Sequence, residues 1–185
     1  MANTATNVTV GKPKVGGAIY VAPLGSTLPT DSSTALDAAF KCLGYVSEDG
    51  VTNNNSPESD SVKAWGGDTV IVLQTDRPDS FAFTLLETLS QDVLNAIYGS
   101  ANVVADAQGN LTVKATADAM AGQAWVIEMV MRGSRAKRIV IPDGAVTARE
   151  TITYNDSDAV GYGITVSAYP DANGNTHKEY LEKAS

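Results

Sequence analysis

Residues 160–169 read VGYGITVSAY, and their strict alternation decides the fold class of this 185-residue chain. Apolar side chains, among them Tyr162, Ile164 and Val166, occupy every second position, and only Gly, Thr and Ser stand between them. Because side chains alternate between the two faces of a strand, this stretch predicts a strand with one buried face and one small, neutral, polar face.

Strand patterns also occupy both flanks of this stretch. They predict strands over 17–23, 125–132, 135–141, 145–154 and 176–181. Residues 70–76 and 79–87, separated by Arg77 and Pro78, predict a hairpin whose second strand buries Phe81, Phe83 and Leu85. A solvated sheet face normally carries Lys and Glu, so the recurrence of faces made of Thr, Ser, Gly and Ala is unusual.

Helix signals are few. Residues 90–98 combine Ser90 as a cap, Asp92 in the first turn, an apolar stripe and Gly99 as a stop. Residues 32–40 predict a second, brief helix. The sequence therefore predicts a mainly β fold, an antiparallel β-sandwich or barrel with one flanking α-helix, in a single domain over 1–185.

Two segments carry little apolar periodicity. Residues 1–15 predict a flexible, polar N-terminal arm. Residues 47–62 predict a long polar loop whose acidic side chains are Glu48, Asp49, Glu58 and Asp60. A polar insertion of this length inside a compact domain is usually functional or disordered, and carboxylates without His or Cys suit docking better than catalysis.

The order of several phrases resembles the major tail tube protein of long-tailed, non-contractile DNA bacteriophages. These phrases are GYVSEDGV at 44–51, DSVKAWGGDTV at 60–70, LLETLSQDVLNAIYG at 85–99 and ITVSAYPDANGN at 164–175. The resemblance covers about residues 16–182 and contains no active-site motif.

The resemblance implies a structural virion protein that assembles into stacked rings, expected to be hexameric, around a hollow tube through which phage DNA is ejected. Its partners would be copies of itself, other tail proteins at the tube ends, and DNA as non-specific cargo. Its location would be the virion tail, after assembly in the host cytoplasm, with no membrane contact. The loop over 47–62 would then lie between subunits.

Composition disfavours catalysis, metal binding and tight nucleic-acid binding. The net charge is −8, which repels phosphate. The single cysteine, Cys42, excludes an internal disulfide. The single histidine, His177, is predicted to be a surface residue, since no nucleophile motif accompanies it. Two DAxGN segments, at 106–110 and 171–175, lack the later ligands of a calcium loop and predict turns. We expect no enzyme activity and no cofactor.

One basic cluster, at 132–138, contains Arg132, Arg135, Lys137 and Arg138. It is open to three interpretations: a solvated hairpin turn, a contact for the acidic loop of a neighbouring copy, or contact with DNA or another partner.

The small polar strand faces predict the wall of the tube's lumen, with solvent on the outside of the protein as the alternative. The residues assigned to this wall are Ser80, Ala82, Thr84, Thr147, Arg149, Thr151, Thr153, Thr165 and Ser167.

Two other functions remain open from the residues alone. One is a soluble β-sandwich binding module, such as a capsid-decorating or adhesin domain. The other is a related tube protein of a contractile or secretion system.

Overall fold

The computed structural model describes residues 3–183, which form thirteen strands, one α-helix and two 3₁₀ turns. The predicted mainly β, antiparallel fold with one helix is confirmed. The strands are Lys12–Pro13 (β1), Ile19–Pro23 (β2), Lys41–Cys42 (β3), Val46–Asn55 (β4), Glu58–Lys63 (β5), Thr69–Asp76 (β6), Asp79–Leu85 (β7), Val103–Ala105 (β8), Leu111–Val113 (β9), Gln123–Met131 (β10), Arg135–Arg149 (β11), Tyr162–Ala168 (β12) and Lys178–Leu181 (β13). The helix is Gln91–Tyr98 (α1), and the 3₁₀ turns are Ala5–Asn7 and Ser100–Asn102.

Nine strands form one antiparallel sheet in the order β3-β2-β10-β11-β12-β7-β4, with β1 paired to β10 and β13 paired to β11. Strand β11 joins the two halves of this sheet, since its first part pairs with β10 and β13 and its last part pairs with β12. The prediction of two strands here, at 135–141 and 145–154, is wrong. Pro142 lies where the ladder with β10 shifts register, and a bulge tolerates proline without ending the strand.

The main core lies between the two halves of the sheet. The rings of Phe83 on β7 and Trp125 on β10 meet edge to face, with 6.1 Å between their centroids. Helix α1 contributes Val93, Ala96 and Ile97 to the same cluster. The helix begins after Ser90 and ends before Gly99, as the sequence predicts, although the Ser90 side chain makes no capping hydrogen bond.

A second apolar cluster lies on the other side of β10 and β11, where Phe40, Val126 and Val140 are buried. The segment that covers it includes residues 32–40, and the helix predicted there is wrong. The buried guanidinium of Arg138 donates to the backbone carbonyls of Asp31 and Thr34, at 2.8 Å each, and the Asp31 carboxylate accepts from the following backbone. These side-chain hydrogen bonds occupy backbone groups that a helix would use for its own backbone hydrogen bonds.

The segment predicted as a polar loop over 47–62 is almost entirely strand. Strand β4 pairs with β7, and β5 pairs with β6. The predicted hairpin between 70–76 and 79–87 is also wrong, because β6 and β7 run on in the same direction past Pro78. The chain reverses instead at Ala64–Asp68, where Gly66 and Gly67 have φ of 117° and 98°.

The predicted N-terminal arm lies along β10. Lys12 and Pro13 pair with Val130 and Met129 of that strand. Residues 1 and 2 lie outside the described part of the chain, and the flexibility of the arm stays a prediction.

Both DAxGN segments form the predicted turns, with Gly109 and Gly174 at φ of 86° and 79°. In the second, hydrogen bonds led by the Asn175 backbone N–H hold the pKa of Asp171 at about 2. These carboxylates are therefore occupied in organising their own turns.

Candidate assembly surfaces

A two-stranded hairpin, β5 and β6 with the turn between them, projects from the body of the protein. We call residues 58–76 the arm. Every residue of the arm is exposed. The eight residues of β6 correspond to a reach of about 25 Å. A ribbon of two strands has no core of its own, so its order depends on what it contacts.

The two strands of the arm differ in chemistry. Strand β5 carries Ser59, Asp60 and Ser61, whereas β6 carries an apolar run over 70–73 whose four side chains are 48–67% exposed. Trp65, in the turn at the tip, is fully exposed at 107%. Since side chains alternate along a strand, both faces of the arm present exposed apolar groups, and such surface often marks a contact site.

The four carboxylates predicted to form one inter-subunit loop divide between two places. Glu58 and Asp60 lie on β5 in the arm, whereas Glu48 and Asp49 lie on β4 at the edge of the body sheet. All four are exposed. Their contact with another copy stays a proposal.

The predicted basic patch is wrong for Arg138. Its side chain is 1% exposed, and its Nε donates to Glu128 Oε1 at 2.8 Å, while Nη2 contacts the same oxygen. Lys14 Nζ reaches the other oxygen of Glu128 at 2.6 Å. Arg138 therefore neutralises a buried carboxylate of its own chain.

The other members of the basic patch lie nearer the surface. Lys137 pairs with Glu179 at 2.8 Å. Arg132 and Arg135 flank the β10–β11 turn, where Arg132 Nη1 donates to the Ala5 carbonyl and Arg135 Nε donates to the Arg132 carbonyl. A positively charged surface thus remains at this turn.

The small polar residues of β7 and β12 lie on one sheet face. Ser80 pairs with Ser167 and Ala82 pairs with Thr165, and directly paired residues share a face. Thr84 follows on the same face of β7, because side chains two apart point the same way. The opposite face of both strands is buried core.

Strands β11 and β4 extend this face. Thr147 Oγ1 lies 2.7 Å from Ser167 Oγ. On β4, Thr52 and Asn54 pair with Ala82 and Ser80. We call this surface, spanning β11, β12, β7 and β4, the polar face. Thr52 and Asn54 were missed because the sequence pattern there reads as loop.

Of the other residues assigned to this face, two lie outside its strands and one lies on the opposite side of the sheet. Thr151 and Thr153 lie beyond the end of β11, outside the strands. Arg149 pairs with the core residue Ile164 across the sheet, and its Nε donates to the Ile97 carbonyl at 3.1 Å. A bulge after Val146 moves Arg149 to the helix side, where its guanidinium also lies 5.0 Å from the centre of the Tyr98 ring.

The arm joins the body at Asp79, which sequence analysis missed. Its side chain is 2% exposed, and it accepts hydrogen bonds from Asn53 on β4 and Thr176. His177 Nδ1 lies 2.5 Å from Asp79 Oδ2, and the His177 side chain is only 15% exposed, so the surface assignment of His177 is wrong. No sequence motif links these distant residues.

We expect the Asp79 site to make folding stability depend on pH. Burial raises the pKa of Asp79, but bonds from Thr176, His177 and Asn53 outweigh it and lower that pKa overall. Its contribution is therefore present above the unfolded pKa, about 3.9, and is lost as pH falls through the lower folded pKa.

Asp79→Asn should cost about 1.5–3 kcal/mol at pH 7, the typical value of hydrogen bonds to a charged group. Urea unfolding of both proteins across pH 2–7 measures the difference, which should shrink below about pH 4. A difference that stays constant down to pH 2 would contradict this role.

Two further features bear on function. Within residues 3–183, no group of three or more His, Cys, Asp or Glu side chains could hold a metal ion. In the same part of the chain, no helix has the length and apolar character needed to cross a membrane.

Comparison with known proteins identifies the family. A search of curated proteins finds no match to this chain. The protein-family profile described as Phage tail tube protein matches residues 1–185, the whole chain. That family is one of structural tail proteins, not a class of enzymes, and it implies assembly with further copies and other tail proteins in the virion tail. This match over the full length shows that the chain belongs to the phage tail tube protein family.

Proposed function

We propose that copies of this protein assemble into rings, expected to be hexameric, that stack into a hollow tube through which phage DNA leaves the virion. The observation that carries this proposal is the polar face. Thr, Ser, Asn and Ala fill a sheet surface that spans four strands. A solvated outer surface would normally carry Lys and Glu.

The chemistry of the polar face suits a DNA conduit. Double-stranded DNA carries a charge about every 1.7 Å of its axis, so a wall rich in Lys and Arg would bind it at each step. Hydroxyl and amide groups leave the duplex hydrated, and the net charge of −8 opposes binding. The carboxylate of Glu150 adds a negative charge beside the face. Its Oε2 would lie 2.3 Å from a Cβ placed on Gly163 of β12.

The edge of β4 supports ring closure. Strand β4 is the last strand of the sheet, and its outer edge has no partner strand within the described residues 3–183. Pairing of this edge with another copy would satisfy its backbone groups and continue the polar face around a ring. The arm would then contact a further copy, and other tail proteins would cover the two ends of the tube. Assembly would take place in the host cytoplasm.

Thiol labelling tests the lumen assignment. Thr84 or Thr165 is replaced by cysteine in a Cys42→Ser background. Assembled tubes are then treated with a thiol reagent too bulky to enter the bore. We expect labelling only at the tube ends, because both side chains would line the bore. A small reagent, and tubes dissociated before labelling, serve as controls that must label fully.

Two results would count against the proposal. Rapid labelling along the whole outer wall would place this face outside. Negative-stain microscopy that finds only dispersed monomers at rising concentration would favour a soluble binding module instead.

A further inference from the structure

A groove lies beside the β10–β11 turn, with a volume of about 330 Å³. This volume is near the lower end of the range for small-ligand pockets, about 300–1,000 Å³. Val130 and Met131 on β10 line it, with Val10 of the N-terminal segment opposite them. The space suits one large side chain better than a drug-sized molecule.

The walls of this groove favour an aromatic ring. Met131 brings a polarisable thioether, which makes favourable contacts with aromatic rings. Lys12 and Arg132 lie at its rim, and both are exposed. Cations over an aromatic face are attracted by the ring's negative π-face, and tryptophan is the strongest partner.

The tip of the arm carries the matching group. Trp65 is fully exposed at 107% in a turn that also contains two glycines. The arm has four carboxylates, Glu58, Asp60, Asp68 and Asp76, and its only basic residue is Lys63. An acidic ribbon that ends in tryptophan complements a basic rim around an apolar groove.

We infer that Trp65 of one copy docks into the groove beside the β10–β11 turn of a second copy. The inference rests on the proposed assembly and names one of its contacts. The arm extends about 25 Å from its own body, so the tip meets another molecule rather than its own sheet. Tryptophan and arginine are also the residues most often found at the energetic centre of such contacts.

Another groove on the surface fits the tip less well. It lies between residues 116–120 and the end of β11, and its lining includes Asp118, Thr147 and Arg149. This lining sets one carboxylate, Asp118, against one cation, Arg149, whereas the first groove has two cations and no carboxylate, so this lining complements the acidic arm less well. This groove therefore supplies a matched control.

Disulfide trapping tests the contact while Trp65 stays in place. In a Cys42→Ser background, Ala64→Cys at the tip is combined with Ser134→Cys at the first groove, or with Ala117→Cys at the second. Full-length proteins are oxidised mildly, and both the polymer and the soluble fraction are analysed. A disulfide requires Cα atoms within about 4.4–6.8 Å, so it reports direct docking.

We expect linked chains from the 64/134 pair at about tenfold or more the level from the 64/117 pair, because docking raises the effective concentration of the two thiols. Adding Trp65→Ala should abolish the difference, and Trp65→Phe should retain part of it. Equal linkage in both pairs, preferential 64/117 linkage, or none in either fraction would overturn the inference. Microscopy of the same samples reports separately whether tubes form, so a failed contact is distinguishable from a failed assembly.

Discussion

Replacing Arg138 with methionine is expected to lower the free energy of unfolding by about 3–5 kcal/mol, because it leaves a buried carboxylate without its main partner. Glu128 is 3% exposed, and one of its oxygens accepts from two nitrogens of Arg138. The substitution also frees the carbonyls of Asp31 and Thr34, which Arg138 holds over the second apolar cluster. Lys14 still reaches the other oxygen of Glu128, so we expect the lower part of the range.

Urea unfolding of the unassembled protein measures this loss. Lys137→Met is the matched control, because it removes the neighbouring charge from a pair nearer the surface, and it should cost no more than about 1 kcal/mol. Combining Arg138→Met with Glu128→Gln removes the unpaired charge and should recover much of the loss. Equal effects of the two single substitutions, or no recovery in the double variant, would contradict a buried charge pair.

Trp125→Ala is expected to cost about 3–5 kcal/mol, as is typical of an aromatic side chain removed from a core. Trp125 is 1% exposed, and it packs edge to face against Phe83 from the other half of the sheet. Its Nε1 donates to the Gly144 carbonyl at 2.9 Å. The substitution therefore opens a cavity between the two halves and leaves a buried acceptor without its donor.

The second tryptophan supplies the control. Trp65→Ala removes the same side chain from a fully exposed site, and it should change the stability of the unassembled protein by less than about 0.5 kcal/mol. Far-UV circular dichroism follows the urea unfolding of both variants, because Trp65, the only ring left in Trp125→Ala, is already exposed in the folded protein. A large loss of stability from Trp65→Ala, or a small one from Trp125→Ala, would reverse these assignments.

Period-two alternation was sufficient to predict the mainly β fold, and the signals around Ser90 and Gly99 predicted the helix. The buried face of β7 and the small polar residues of β7 and β12 also followed from alternation, because each of these strands has one core face. The same rule failed at Arg149, where a bulge changes which face the side chains occupy. A bulge depends on the partner strand, so the sequence of one strand does not reveal it.

The other errors come from contacts between residues distant in sequence. The sequence places Arg138 in a basic cluster, which predicts a surface position. No local pattern indicates that Glu128, ten residues earlier, is its buried partner. His177 read as exposed, although it meets Asp79, 98 positions away. The polar stretch at 47–62 read as loop, since its strands are stabilised by pairing with β6 and β7 rather than by burial of their own side chains.

Strand β11 has a mechanical consequence. Its fifteen residues form one strand, with bulges at Pro142 and after Val146, from the half of the sheet that holds β13 to the half that carries the polar face, a length of at most about 50 Å. A load applied at one end therefore travels along covalent backbone to the other, and the two halves have no linker at which to hinge. We expect a filament of these subunits to bend by sliding at the contacts between neighbours, while each subunit keeps its shape and the bore keeps its diameter.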